Sequence, residues 1–517
     1  MTIASETPPA PAGAEKENSG SGSGDRRRQI GLLLGPVAFA VILLLPAPSG
    51  MPAEAWRTAA VGVLMAVWWI SEAIPIPATA LLPLALLPLL RISPIDGAAS
   101  PYANPVIFLF LGGFLIAQAM QRWNLHRRIA LRVIRAVGTR PVPLIGGFML
   151  AAAFLSMWVS NTATAVMMLP IGLSVIDLAL RGDNGEAGTQ PREPTDSNFA
   201  IALMLGIAYA CSIGGLATLI GTPPNALLAG FMAETYGVQI GFAQWMLVGM
   251  PLAMIGLPIV WLVLTRWIYP VRLKEIPGGR AAIDREISAM GSLSRGETLV
   301  GIVFVLTALA WVTRPILERW IPELSDAGIA ITAAIVLFAL PVRLRAGEFV
   351  LNWEWAKRLP WDVLILFGGG LSLASAISRS GLAGWIGSSL AGFQALPVIA
   401  IVLVVTLVII FLTELTSNTA TAAAFLPVLA SLAIGIGENP LLLAVPAALA
   451  ASCAFMMPVA TPPNAIVYGS SFVTIPQMAR AGLILNILFL LLISLLGYLL
   501  VIFVFGVQVG VVPGWAR

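Results

Sequence analysis

Ser160-Asn161-Thr162-Ala163 splits an apolar stretch at 142–181, and Ser417-Asn418-Thr419 splits a second one at 391–433. Each stretch reads as two short helices meeting at a polar tip. Each is followed by a further interruption, Gly221-Thr222-Pro223-Pro224-Asn225 in one half and Ala460-Thr461-Pro462-Pro463-Asn464 in the other. The first proline of each pair has no N–H to donate, and the second disfavours helical geometry in the residue before it, so a helix breaks at both places. The pairs keep register. Asn161 and Asn418 are 257 positions apart, as are Phe110-Leu111-Gly112-Gly113 and Phe367-Gly368-Gly369-Gly370. Thr222 and Thr461 are 239 apart, and a polar loop at 182–198 without a counterpart in the second half accounts for the shortfall. Self-similarity of this kind marks an internal repeat.

The solvent of such a chain is lipid. Of its 517 residues 58% are hydrophobic and 10% charged, with mean hydropathy +0.91, against about 25% charged in an ordinary soluble domain. Backbone groups in lipid must be paired internally, which leaves helices or a closed barrel, and the continuous apolar runs favour helices. The expected fold is an all-α polytopic membrane protein with eleven transmembrane helices and two re-entrant hairpins. The spans fall at 30–46, 56–73, 76–91, 104–120, 199–220, 242–266, 297–313, 326–342, 361–378, 440–470 and 480–507. Residues 1–29 form a disordered cytoplasmic N-terminus, poor in core-forming residues, whose Arg26-Arg27-Arg28 precedes a signal-anchor span. Residues 30–266 hold the first span and the first repeat, 267–296 a cytoplasmic linker, 297–507 the second repeat, and 508–517 a tail.

Lys and Arg place the loops. With the N-terminus inside, four spans return the chain inside at 121–140, where Arg122, Arg127, Arg128, Arg132, Arg135 and Arg140 form a basic amphipathic arm suited to a cytoplasmic surface. The basic segment 267–296 and Arg343 with Arg345 also fall inside, whereas Arg314 and Arg319 dissent by falling outside. This count puts the C-terminus outside. The span at 104–120 then runs opposite to its copy at 361–378, so the repeats are inverted, and inverted repeats with broken helices are the signature of a secondary transporter whose site lies near the midplane.

The tips and breaks supply the chemistry. The helices arriving near Val159 and Thr416 leave unpaired carbonyls and a partial negative charge, which suits a small cation such as Na⁺. Ser156 and Thr413, one turn before Ser160 and Ser417, are also 257 apart and add hydroxyls to both halves. The helices departing at Asn161-Thr162 and Asn418-Thr419 aim free N–H groups at an anion, and two such clusters match a substrate with two carboxylates. Carbonyls at Gly221 and Ala460 become free at the breaks. No Arg or Lys lies in either motif pair, so bound sodium must offset the dianion, which predicts coupling.

Other readings weaken on inspection. A lone Ser-Asn-Thr could be a polar helix contact, but here it recurs in register beside two Pro-Pro breaks. One histidine, His126, cannot build a metal centre or a hydrolytic triad and reads as a surface residue of the arm. That argues against an enzyme. Cys211 and Cys453 lie in apolar runs and read as core, with no disulfide. The glycines at 112–113 and 368–370 read as close packing. Glu414 is either a proton or cation site or a hydrogen-bonding brace for the second tip, the latter favoured because its repeat mate is Met157.

The paired Ser-Asn-Thr motifs, Gly221–Asn225, the run from Met457 to Val467 and Ser71-Glu72-Ala73-Ile74-Pro75 resemble the divalent-anion/sodium symporter family over residues 30–507. The resemblance implies a homodimer in the plasma (inner) membrane with a scaffold domain and a moving transport domain, an elevator. It implies substrate contacts from Asn161, Thr162, Ser417, Asn418 and Thr419, aided by Thr222, Thr461 and Pro462. It implies one sodium near Ser156, Ser160, Asn161 and Gly221 and another near Thr413, Asn418 and Ala460, hence two or more Na⁺ ions. The expected partners are a small dicarboxylate, sodium and the bilayer, with no nucleic acid. The expected activity is sodium-coupled symport of C4-type dicarboxylates, with di/tricarboxylate exchange without sodium, or sodium/sulfate symport, as alternatives.

Overall fold

The computed structural model describes residues 21–180, 194–276, 278–389 and 396–516. It is an all-helical membrane protein save for a short antiparallel ladder pairing Pro341–Arg343 with Glu348–Phe349. Among the described residues nine helices are long and apolar enough to cross a membrane, and five shorter apolar helices join them. Each expected span overlaps helical structure. The first helix begins at Ser21, inside the segment expected to be disordered; residues 1–20 of that segment, and most of the polar loop at 182–198, lie outside the described residues.

A bond of the same kind recurs in each half, though not at the 257-residue offset. Trp69 Nε1 donates to Ile76 O at 3.3 Å, and Trp311 Nε1 donates to Asp326 O at 3.0 Å, each pinning a long helix to the start of the short helix after it. Phe110 and Phe367, repeat mates, meet edge to face at 5.0 Å. Repeat mates in mutual contact lie where the two halves cross. Their neighbours explain the glycines. A Cβ on Gly112 would lie 2.6 Å from the Ala330 carbonyl carbon, and one on its mate Gly369 would strike Ala80 O. The obstacle in both cases is backbone, so neither clash relaxes cheaply. Gly369→Ala is expected to lower stability by about 1–3 kcal/mol, the usual range for overpacking. A thermal unfolding midpoint equal to wild type in detergent would refute this packing role.

The arginine-rich arm folds as Leu125–Val137, and its charges are largely spoken for. Arg127 pairs with Glu286 and Arg135 with Asp284, on the linker helix Gly279–Ala289. Arg128 is buried. It forks onto Glu297 at 2.6 and 3.2 Å and reaches the Gly291 carbonyl at 3.0 Å. Glu297 also closes the capping box with Ser294 that starts the helix Arg295–Leu317. His126 is not a surface residue as its basic neighbourhood suggested. It is 8% exposed, its Nδ1 lies 3.1 Å from Met120 O, and burial lowers its pKa from the ordinary imidazole value. The sequence signal was misleading because the ring lies on the apolar face of the arm. Arg314, the dissenting outer charge, is neutralised by Glu318 at 3.1 Å and Asp326 at 3.4 Å.

Candidate functional site

The first hairpin is Pro141–Ser156 and Asn161–Leu180; the second is Val398–Thr413 and Asn418–Gly435, with residues 390–395 outside the described residues. Both arriving helices stop three residues earlier than expected, because the last residues before each tip form turns. The departing helices begin at Asn161 and Asn418 as expected. Both breaks also open earlier than the prolines alone imply. The first broken span ends at Leu216 and resumes at Pro223, and the second ends at Ala451 and resumes at Pro462.

The reason is a clip that the sequence reading missed. Asn225 Nδ2 donates to the carbonyls of Gly215 at 3.1 Å and Thr218 at 2.9 Å. Asn464 Nδ2 donates to Ala454 and Met457, both at 3.1 Å. All three positions correspond at the 239-residue offset. The last residue of each Thr-Pro-Pro-Asn motif therefore satisfies the carbonyls that the break releases, and the helix unwinds to meet it. The motif was legible, but the part played by its asparagine needed coordinates. Asn464→Ala would strand two buried carbonyls, each lost hydrogen bond costing about 1 kcal/mol net and more where a buried group stays unpaired. A thermal midpoint clearly below wild type is expected, and an unchanged one would dismiss the clip.

Around Asn161, oxygen atoms converge. Its side-chain oxygen lies 2.5 Å from Ser156 Oγ. With the amide turned, the nitrogen faces Gly221 O at 3.3 Å and Cys211 O at 3.2 Å. As placed, the amide oxygen therefore faces acceptors, an arrangement stable only if the amide turns its N–H₂ inward or a cation sits among the oxygens. Oxygens converge in the second half as well. Thr413 Oγ1 is 2.6 Å from Asn418 Oδ1 and 2.9 Å from Ala451 O, so one hydroxyl hydrogen faces two acceptors. Carbonyls, hydroxyls and amide oxygens are the ligands a hard cation takes. The structure thus groups Ser156, Asn161 and Gly221, and separately Thr413 and Asn418. It adds Cys211 and Ala451 through their carbonyls, which no side-chain motif could announce. Ser160 caps its own helix by accepting from Ala163 N at 3.3 Å, and among the described residues no hydrogen bond joins Ala460 to Thr413 or Asn418.

The remaining candidate residues are brought together by exchange between halves. The helix departing from the first tip packs on Pro462–Tyr468, and the helix departing from the second tip packs on Pro223–Tyr236. Thr222 Oγ1 and Ser452 Oγ, from opposite breaks, are 3.3 Å apart. Thr222, Thr419 and Thr461 are buried, Ser417, Asn161 and Asn418 are half-buried, and Thr162 and Pro462 are exposed. The departing helices open on Asn161-Thr162 and Asn418-Thr419 with free N–H groups, whereas the resumed helices open on Pro223-Pro224 and Pro462-Pro463, which have none.

Two braces hold the tips to the breaks, and they use the same repeat positions with opposite chemistry. In the first half Thr218 Oγ1 donates to Met157 O at 2.6 Å. In the second, Glu414, the mate of Met157, accepts from Phe455 N at 2.6 Å, from Met456 N at 2.9 and 3.0 Å, and from Met457 N, the mate of Thr218, at 3.1 Å. Asn486 Nδ2 adds a further donor at 2.8 Å.

The tips differ in exposure. Trp158 stacks near Trp311 and Phe242 with ring centroids at 6.5 and 6.0 Å and meets Phe304 edge-on. Its mate Leu415 is 57% exposed, and Val459 at the neighbouring break 76%. The tips are covered at different positions: Trp158 is half-buried where Leu415 is exposed, and Thr162 is exposed where Thr419 is buried. Arg27 reaches the second tip, donating to Leu415 O at 2.7 Å. It is a cation that a separation of 388 positions hid from the sequence reading.

Residues 26–507 match the family described as sodium:sulfate symporter transmembrane region. The sodium-dependent dicarboxylate transporter SdcS of Staphylococcus aureus (strain bovine RF122 / ET3-1) is 46% identical over 484 residues, covering 93% of this chain and 92% of that protein. Two solved structures share the fold. The YdaH transporter of Alcanivorax borkumensis has TM-score 0.56 at 15% identity, over 88% of this chain and 99% of that one. MtrF of Neisseria gonorrhoeae has TM-score 0.56 at 14% identity, over 94% and 96%.

Proposed function

This chain belongs to the sodium:sulfate symporter family, and on that premise we propose that it couples the entry of sodium to uptake of a C4-type dicarboxylate such as succinate, malate or fumarate. The observation that carries the reading is the convergence of oxygens at Asn161 and Asn418. Ser156 Oγ and the carbonyls of Cys211 and Gly221 gather at the first amide, and Thr413 Oγ1, itself beside Ala451 O, lies at the second. A sodium ion in each cluster would take such oxygens as ligands. It also places positive charge beside helix N-termini that carry no Arg or Lys in their motifs. Sodium and dianion then stabilise one another's binding. The relative SdcS is named a sodium-dependent dicarboxylate transporter, and a donor cluster from each half suits a carboxylate at each end.

In this reading Ser156, Ser160, Asn161 and Gly221 hold one sodium and Thr413, Asn418 and Ala460 another. Asn161, Thr162, Ser417, Asn418 and Thr419 hold the carboxylates, helped by Thr222, Thr461 and Pro462. Transport follows an elevator stroke, in which hairpins and broken helices move together past a scaffold. The working unit is a homodimer in the plasma membrane, with the N-terminus cytoplasmic and the C-terminus outside.

Reconstituted vesicles test this. Uptake of labelled succinate is expected to rise steeply with an imposed inward sodium gradient and to exceed uptake of citrate and of sulfate. Uptake indifferent to sodium but stimulated by internal dicarboxylate would replace symport with exchange. Preference for sulfate would overturn the substrate.

A further inference from the structure

A cavity outside the two oxygen clusters lies on the first helix. It is a groove of 680 Å³ between the first helix, Ser21–Leu44, and the helix Ala53–Ser71. Its apolar wall is formed by Ile30, Leu34, Val67 and Ile70, and its rim by Arg26 and Arg27. The two helices touch at Gly31 and Gly35, where an added Cβ would strike Ser71 and Trp68. Contact is therefore close along one line and leaves the groove open beside it. The first helix is a candidate membrane span only 11% buried, and Leu33, Leu34 and Val37 on it are exposed.

The rim charges are not used up within the protein. Glu72 is already engaged: its side chain pairs with Arg27 at 3.5 Å and its carbonyl accepts from Arg28 Nε at 3.1 Å. Arg27 also holds Leu415 O. Arg26 is exposed and has no hydrogen bond or ion pair among the described residues. A groove with an apolar wall along a membrane helix and a guanidinium at its end is complementary to one kind of molecule, an amphiphile with an acyl chain and an anionic head.

We propose that this groove binds an anionic phospholipid, its phosphate between Arg26 and Arg27 and an acyl chain along Ile30, Leu34, Val67 and Ile70. Guanidinium and phosphate make charge-assisted, geometrically matched hydrogen bonds. The chain replaces lipid contacts that a bare groove would leave unfilled. Because Arg27 also holds the second hairpin tip, headgroup and tip share one guanidinium.

Native mass spectrometry of the full chain tests the proposal, with phosphatidylglycerol and phosphatidylcholine of identical acyl chains titrated in parallel. One phosphatidylglycerol should be retained in preference to phosphatidylcholine. Arg26→Gln removes a side chain with no protein partner, so folding should be untouched, and retention is expected to fall about five-fold, the worth of one arginine near an anionic lipid. Val67→Trp fills the groove, keeps both arginines and should also abolish the preference. Equal retention of the two lipids by the wild type would overturn the proposal, including the case in which residues 1–20, with Glu15 and Glu17, occupy the groove instead. Phosphatidylglycerol preference unchanged in both variants would overturn it as well, by assigning the lipid to the general boundary layer.

Discussion

Asn161→Ala and Asn418→Ala are each expected to abolish sodium-driven uptake while the purified protein keeps its wild-type oligomeric state and helical content. Each asparagine stands at the first turn of a departing helix and at the centre of an oxygen cluster. Removing the amide takes a ligand from the cation and a donor from the anion at once. Loss of an outer-shell partner typically costs a metal site about 10–100-fold in affinity, so loss of a direct ligand should cost at least that. Asn161→Asp separates the two duties. It keeps the oxygen and adds a charge, so sodium should bind at least as well while a carboxylate is repelled. The readouts are labelled succinate uptake across a range of sodium concentrations, and sodium-dependent protection against heating in the absence of substrate. Wild-type flux in both alanine variants would remove the basis of the site.

The two helix starts at Asn161 and Asn418 were legible because a polar tripeptide inside an apolar run has little else to do, and because it occurred twice at one offset. The offsets were confined to sequence arithmetic until the structure supplied bonds that obey them: Ser156 with Asn161 and Thr413 with Asn418 at 257, Asn225 and Asn464 onto their breaks at 239. The carbonyls of Cys211 and Ala451 were not legible, since every residue has a carbonyl and only the path of the backbone decides which ones are left over. Arg27 was hidden for a related reason. It belongs to the helix that precedes the repeat, and no internal symmetry points from it to Leu415. His126 was misplaced because composition assigns a segment's surroundings, whereas a helix has faces, and the imidazole lies on the buried one.

Glu414 is expected to show its largest effect on stability rather than on coupling. Every contact of its carboxylate in the structure is a donor: three consecutive backbone N–H groups, at Phe455, Met456 and Met457, and the Asn486 amide. A carboxylate is acceptor-only when ionised, which is the form this arrangement suits. Glu414→Ala leaves those donors in a buried site with no acceptor. At about 1–3 kcal/mol for each unsatisfied buried group, the loss is on the order of 5 kcal/mol, a sizeable share of what holds a typical protein folded. Glu414→Gln keeps one oxygen but turns an N–H₂ toward a backbone donor, so the loss should be intermediate. The same carboxylate as a coupling site makes the opposite forecast. The glutamine variant would then fold normally and lose its sodium or pH dependence. Thermal unfolding measured beside the sodium dependence of uptake separates the two. A lowered midpoint with an unchanged half-saturating sodium concentration, and flux reduced only by the fraction unfolded, is the brace. An unchanged midpoint with altered ion dependence would make Glu414 part of the ion pathway.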